Sequence, residues 1–234
     1  MIHYFDKVSS TMDEASSLAA KGELKVWDSV VARVQTMGRG QLRKGWVSPP
    51  GNLYASLRLP VTRTFASSLG AIAATALFLP PLEALAGELF IKWPNDIIAI
   101  RDGETKKLAG ILLEEKRGAL IAGIGTNIDA PKVETKGLGL PPVGLRELRP
   151  KLPDLSPLEI WIKILAHIRA VDASNPRELI ASKLLWLDHE IEMIDGDERI
   201  TGIFRGINEE GGAIVETTDE ILTFFSGSMR EAKR

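Results

Sequence analysis

The chain has 234 residues, no cysteine, and 29 Lys+Arg against 31 Asp+Glu for a formal net charge of −2; 44% of it is hydrophobic. Those values exclude a disulfide framework, a thiolate metal site and a cysteine nucleophile, and they argue against a dedicated nucleic-acid binder, which carries a basic excess. The apolar fraction is too high for a disordered chain, and the length allows one or two domains with a sizeable core.

Met1 to Asp13 has no basic segment followed by an apolar one, so no secretory signal is expected. The longest apolar run, Leu69 to Leu82, contains Thr75 and Pro80-Pro81 and falls short of the roughly 20 residues a spanning helix needs. A soluble, cytoplasmic protein with no membrane partner is the expectation.

In chain order, Ile2–Phe5 predicts a strand and Met12 to Ala20 a helix, with Ser10-x-x-Asp13 and Thr11-x-x-Glu14 both resembling capping boxes. Val26 to Val34 predicts a buried strand. A glycine-rich basic loop follows from Gln35 to Trp46. Asn52 to Leu59 alternates, which predicts a strand with one buried face. Thr64 to Leu79 predicts a buried helix stopped by Pro80-Pro81. Ile97–Ile100, Leu108–Glu115 and Ala119–Ile128 predict three hairpin-connected strands turning at Asp102-Gly103 and Arg117-Gly118. Asp129 to Leu155 is rich in Pro and Gly and predicts irregular chain. Ser156-Pro157-x-Glu159 and Asn175-Pro176-x-Glu178 each announce a helix by a cap residue, Pro at the first position and Glu at the third. Four short β runs beginning at Ile191 predict a small barrel appended to an α+β domain.

Four polar clusters interrupt this pattern, and local rules tend to be broken at functional sites. Gly38-Arg39-Gly40, with Arg43 and Lys44 behind it, suits an anion approached by main-chain amides and a guanidinium together; a solvated basic loop is the plain alternative. Lys92-Trp93-Pro94-Asn95-Asp96 is either a rigid platform, with the Asp96 carboxylate available to Mg²⁺ and the Asn95 amide to a base or ribose, or a structural turn. Lys107 leads into a strand of small and aliphatic residues, where it points into a pocket or into solvent. Gly123-Ile124-Gly125 weakens a strand interior, which signals either a close approach or a bulge.

These segments, in this order, resemble the biotin protein ligases. Ser10-Thr11-Met12 is similar to the family's Ser-Thr-Asn, Gln35 through Trp46 to its Gln-x-x-Gly-Arg-Gly-Arg-x-Gly-Arg-x-Trp loop, Lys92 to Asp96 to its Lys-Trp-Pro-Asn-Asp, Lys107 to Glu114 to Lys-Leu-Ala-Gly-Ile-Leu-x-Glu, and Gly123 to Asn127 to Gly-x-Gly-x-Asn. The resemblance covers essentially the whole chain and starts at residue 2, without the winged helix that some members use to repress transcription. It implies a mixed, largely antiparallel sheet flanked by helices, of the class II synthetase-like kind, over residues 1–185, and an SH3-like barrel over 186–234.

The resemblance also implies the chemistry: ATP-dependent activation of biotin to biotinyl-5′-AMP, then transfer to a lysine of a biotin carboxyl carrier protein, with ATP, biotin and Mg²⁺ as ligands and no nucleic acid. Monomer and homodimer both remain open. Lys107 and Arg39 carry the catalytic expectation. Ser10, Thr11, Gln35, Gly38, Arg39, Lys107, Gly110 and Gly123 are the implied biotin-binding set, and Arg39, Gln41, Trp46, Asn95, Lys107 and Asn127 the nucleotide-binding set, with Asp96 for the metal. A ureido ring offers two N–H donors and a carbonyl, which suits hydroxyl and amide partners. Two departures stand out: Met12 replaces an Asn, and Gln41 replaces a second Arg, which implies weaker retention of the adenylate unless Arg43 or Lys44 compensates. A lipoate or octanoyl ligase-transferase of the same superfamily, or a non-catalytic biotin sensor, are the competing readings.

Overall fold

A computed structural model describes residues 1–41, 45–131, 139–170 and 176–232. The N-terminal strand β1 (Ile2–Val8) lies parallel to β2 (Ser29–Gln35), joined by helix α1 (Thr11–Ala20). All other pairings in this sheet are antiparallel: β3 (Leu53–Leu59), β4 (Phe90–Lys92), β5 (Asp96–Arg101), β6 (Glu104–Lys116) and β7 (Ala119–Thr126) complete seven strands in the order β1-β2-β3-β7-β6-β5-β4. The two hairpins turn at Asp102-Gly103 and Arg117-Gly118, where both residues of each pair have positive φ. That is the geometry whose twist matches the flanking strands.

The alternation in β3 predicted one buried face, but both are buried, Leu53, Ala55 and Leu57 on one side, Tyr54 and Ser56 on the other. The reason is tertiary: α1 covers one face of β3 while helix α4 (Pro157–Ala170) covers the other. The second difference is helix α2. It runs Gly70–Ala86 and passes through Pro80-Pro81 instead of stopping there. Its start is delayed because residues 64–69 form turns that bring the Phe65 carbonyl against Gly70, where a Cβ would lie 2.2 Å from that oxygen. An interior Pro costs about 3 kcal/mol. Past the prolines, Leu82, Leu85 and Ala86 are all buried, and burying one such Leu returns about 1.5–3 kcal/mol. Packing therefore offsets the local penalty.

Within the stretch expected to be irregular, residues 132–138 lie outside those described, and one helical turn, α3 (Leu145–Leu148), is present. The Ser156 box forms as expected: its hydroxyl and amide both donate to Glu159, and Glu159 N–H donates back to the Ser156 hydroxyl. Helix α5 is Arg177–Lys183; the expected cap, Asn175, lies outside the described residues.

The C-terminal region holds β8 (Glu190–Asp195), β9 (Glu198–Ile207), β10 (Ala213–Glu216), β11 (Ile221–Phe224) and β12 (Ser228–Glu231), an antiparallel sheet in the order β11-β10-β9-β8-β12. The last strand had no sequence signal strong enough to predict it. The two sheets share one hydrophobic core, in which Ile191, Phe204, Val215 and Met229 join Trp93, Leu184 and Trp186. Among the described residues, no helix is long and apolar enough to cross a membrane.

Candidate functional site

All of the expected site residues except Gly38 line one cavity of about 300 Å³. Three short-range facts about the backbone build it. The two ends of the glycine-rich loop are tied together, with Arg39 bridged to Gly45 and Trp46 N–H donating to the Gly38 carbonyl. Arg43 and Lys44 lie outside the described residues. At the opposite side, the β5–β6 register shifts between Ile97 and Ile98, the mark of a bulge at Lys107-Leu108. A bulge re-aims its side chain. The strand around Lys107 is then clamped: Asn127 Nδ2 donates to the Lys107 carbonyl, Asn95 Nδ2 to that of Ile111, and Lys107 N–H to that of Pro141. Asn95 and Asn127 line the cavity, but the described hydrogen bonds of their amides go to β6.

One wall is neutral. Ser56 Oγ donates to Thr11 Oγ1 (2.8 Å), Thr11 Oγ1 and its backbone N–H donate to Gln35 Oε1 (3.1 and 2.8 Å), Gln35 Nε2 donates to Ser48 Oγ (3.1 Å), and Ser48 Oγ to the Trp46 carbonyl (3.1 Å). The supposed capping boxes of α1 are absent. Ser10 sits at the cap position without a side-chain bond to the helix and lies instead on the cavity wall. Thr11 is spent on the same wall. Met12 turns into the packing between α1 and the sheet, with its sulfur where a Cβ on Gly123 would come within 2.7 Å.

The other wall is ionic. Arg39 pairs with Asp13 (2.6 Å) and Glu114 (3.1 Å), and Lys116 pairs with Asp13 (3.0 Å). Burial would push the Asp13 carboxyl up, but Arg39 and Lys116 together hold it below the ordinary aspartate value. Asp96 meets Lys107 at 2.6 Å and Lys92 at 3.5 Å. Burial again raises, and the two lysines lower further, so this carboxyl also stays ionised below its ordinary value.

The glycines explain the space between the walls. β7 runs in unbroken register with β3 and β6, so Gly123 and Gly125 mark close approach and not a bulge. A Cβ on Gly125 would stand 2.4 Å from the Trp46 indole, and one on Gly110 3.0 Å from it. Trp46 therefore lies flat on glycine, with Lys107 Nζ 5.2 Å from its ring centroid and its own buried Nε1 unpartnered among the described residues. Gly38 is placed behind the loop, its Cβ position 2.4 Å from the Trp46 carbonyl, and is not on the cavity wall. Gln41 is on the wall.

Several residues that line or brace the site were not singled out for it by the sequence: Ser48 and Ser56, which bond Gln35 and Thr11, Asp13 and Glu114, which pair with Arg39, and Gly227 and Ser228 from the C-terminal sheet. That sheet is tied to the Lys92–Asp96 turn by Trp93 Nε1, which donates to the Gly211 carbonyl at 2.9 Å. The Trp93–Pro94 peptide is cis. As for Mg²⁺, the two oxygens of Asp96 each face a lysine ammonium, and among the described residues no three carboxylate or imidazole groups converge. A divalent ligand site at Asp96 does not fit this arrangement.

The comparisons with known proteins agree with the geometry. Residues 4–129 match the biotin/lipoate A/B protein ligase family and residues 187–229 the biotin protein ligase C-terminal domain. A biotin–[acetyl-CoA-carboxylase] ligase of Paracoccus denitrificans is 31% identical over 89% of this chain and 91% of its own. The bifunctional ligase/repressor BirA of Escherichia coli is 29% identical over 91% and 70%. Among solved structures, the Aquifex aeolicus biotin protein ligase in complex with biotin and ATP superimposes with a TM-score of 0.76 at 27% identity, covering 99% of each chain. The Leishmania major enzyme with biotinyl-5-AMP gives 0.63 at 26%, covering 95% and 98%. The chain belongs to the biotin/lipoate A/B protein ligase family, in its biotin protein ligase branch.

Proposed function

We propose that this protein activates biotin with ATP to biotinyl-5′-AMP and transfers the biotinyl group to a lysine of a biotin carboxyl carrier protein. The observation that carries the reading is that a neutral hydroxyl–amide set, Ser10, Thr11 and Gln35, and a set of cations, Arg39, Lys92 and Lys107, line one cavity. A ureido ring needs the first and a carboxylate meeting a phosphate needs the second. The Ser10 hydroxyl and the Thr11–Gln35 pair take the ring. Lys107, held in position by Asp96, and Arg39 take the anionic end.

In the first step a biotin carboxylate oxygen bonds to the α-phosphorus and pyrophosphate leaves with the electron pair of the broken P–O bond. Negative charge accumulates near Lys107 and Arg39, and cations held in a part-buried site stabilise it. In the second step the acceptor amine bonds to the acyl carbon and AMP leaves. With no cysteine in the chain, no thioester route exists. Any Mg²⁺ would arrive with the nucleotide's phosphates, since the residues at Asp96 do not offer it a site. The carboxyl-terminal sheet, 186–234 in this division, supplies Gly227 and Ser228 to the cavity and the 1–185 region everything else. The cytoplasm, where ATP is held, is the compartment this reading requires.

Incubating the protein with ATP, biotin and a carrier domain tests the reading directly: biotinylated carrier and AMP are expected, and biotin-independent pyrophosphate release, or preference for lipoate in calorimetry, would overturn it. Gln41 carries a finer expectation. If the missing guanidinium loosens the adenylate, Gln41→Arg should slow release of biotinyl-5′-AMP; an unchanged release rate removes the idea.

A further inference from the structure

A second hollow of about 310 Å³ adjoins the ligand cavity and shares Arg39, Gly40, Gln41, Pro94, Leu112 and Gly227 with it. What it adds is Glu114, Phe225 and Ser226. Glu114 is the one acidic residue on its wall, and Pro94, Leu112 and the half-exposed Phe225 are its apolar part. We propose that this hollow receives the acceptor lysine, with Glu114 holding the ammonium group while the alkyl stem lies along Pro94, Leu112 and Phe225. The proposal rests on the ligase reading.

Charge makes the need plain. The ligand cavity is lined by three cations, Arg39, Lys92 and Lys107, and by the Asp96 carboxylate, which both lysines already engage, so an approaching ammonium meets an excess of like charge on that route. The second hollow leads to the same Arg39 from the side that carries a carboxylate. A lysine side chain is an apolar stem with a charged head, and the wall offers a surface for each.

Partner exchange makes the need timely. Asp13 has two cations, Arg39 at 2.6 Å and Lys116 at 3.0 Å. Glu114 has Arg39 alone among the described residues, at 3.1 Å. When Arg39 turns to the activated ligand's phosphate, Asp13 keeps Lys116, whereas Glu114 is left as a bare carboxylate in a part-buried hollow. The cation that restores neutrality there is the acceptor ammonium, so the acceptor's place opens as the first step completes. Glu114 binds the ammonium group and does not serve as the base. The ammonium proton passes to solvent at the mouth, the amine lone pair forms the C–N bond, the acyl C–O bond breaks with its electrons leaving on AMP, and the second N–H proton follows to solvent.

The test is single-turnover transfer from enzyme loaded with biotin and ATP, to two nucleophiles: a carrier domain, whose lysine is a cation, and hydroxylamine, which is uncharged at neutral pH. Glu114→Gln should slow transfer to the carrier, or raise the carrier concentration needed, by about tenfold, the size of one lost hydrogen bond to a charged group. The ratio of carrier transfer to hydroxylamine transfer should fall by about the same factor, whatever the change in Arg39 does to both rates, and Glu114→Asp should restore part of that ratio. An equal fall with both nucleophiles would show that Glu114 acts only through Arg39 and would overturn the proposal, as would an unchanged carrier rate. Circular dichroism of each variant separates misfolding, and Phe225→Ser, which leaves the ion pairs alone, should lower the carrier rate selectively in its own right. Absence of biotin-dependent pyrophosphate release from the unaltered protein would bring down the ligase reading itself, and this proposal with it.

Discussion

The two walls of the cavity are built on opposite terms. The neutral wall, Thr11 and Gln35 with the buried Ser56 and Ser48 as their partners, is a finished chain of hydrogen bonds in which each donor is already aimed. A ligand joins it with little rearrangement. The ionic wall is finished in a different sense: Arg39 and Lys107 are already bound to carboxylates, at 2.6 Å each. An anionic ligand gains them only by competing with Asp13, Glu114 and Asp96. The difference teaches that recognition and activation are separated in kind. The neutral wall selects by shape and donor pattern, while the ionic wall exchanges one anion for another, and only the anion that fits all the cations at once wins.

The strongest way to break this comparison is to remove a cation. Lys107→Met should lower biotin-dependent pyrophosphate release by about 100- to 1,000-fold, as for loss of one preorganised charge-stabilising donor, with biotin binding by calorimetry affected far less. A loss of threefold or less would place Lys107 outside the chemistry. Next comes the floor between the walls. Gly125→Ala puts a methyl 2.4 Å from the Trp46 indole, and overpacking of that kind costs about 1–3 kcal/mol in urea unfolding. Adding Trp46→Ala to the same chain should return most of it; a second loss of stability would show that the glycine serves some other contact.

On the neutral wall, Thr11→Val strips the acceptor of Ser56 and a donor to Gln35, both buried or part-buried. A cost of about 1–3 kcal/mol is expected, together with weaker biotin binding and an unchanged ATP affinity. Parallel weakening of both ligands would mean that the walls are not independent. Trp93→Phe, which removes the tie to Gly211, should cost about 1 kcal/mol, read as a lower urea midpoint.

The smallest effect is in pH. The folded Asp96 carboxyl lies below the ordinary 3.8, so as pH falls the unfolded chain takes up its proton first. The stability this pair supplies is whole above pH 3.8 and is lost as pH drops through the lower folded value. The stability gap between the parent and Asp96→Asn should therefore be constant above that point and narrow below it. A gap that widens toward low pH would contradict the lysine-paired carboxylate.

Much of the site was legible because its chemistry sits in short contiguous motifs. Gln35, Arg39, Lys107 and the Lys92–Asp96 turn announce themselves by breaking strand and loop patterns. What was not legible was who holds whom. Asp13 read as a helix cap because Ser-x-x-Asp before an apolar run is what a capping box looks like locally; the structure spends it on Arg39, 26 residues away in the chain. Glu114 lay at the end of a recognisable motif with nothing to say that it faces a second hollow. Ser48 and Ser56 are small hydroxyls among many.

The fold divides in the same way. Sequence alone determined the hairpins at Asp102-Gly103 and Arg117-Gly118, the Ser156 cap, the strand periodicity of the C-terminal region and the mixed α+β character, because each depends on neighbours within a few residues. Tertiary structure decided the rest. Helix α2 runs through Pro80-Pro81 since the leucines beyond them are buried, β3 is covered on both faces since helices pack on each, and β12 and Gly227 reach the cavity since the second sheet shares the first sheet's core. Local preferences are worth a few kcal/mol at most, and long-range burial, which no window of sequence contains, is large enough to overrule them.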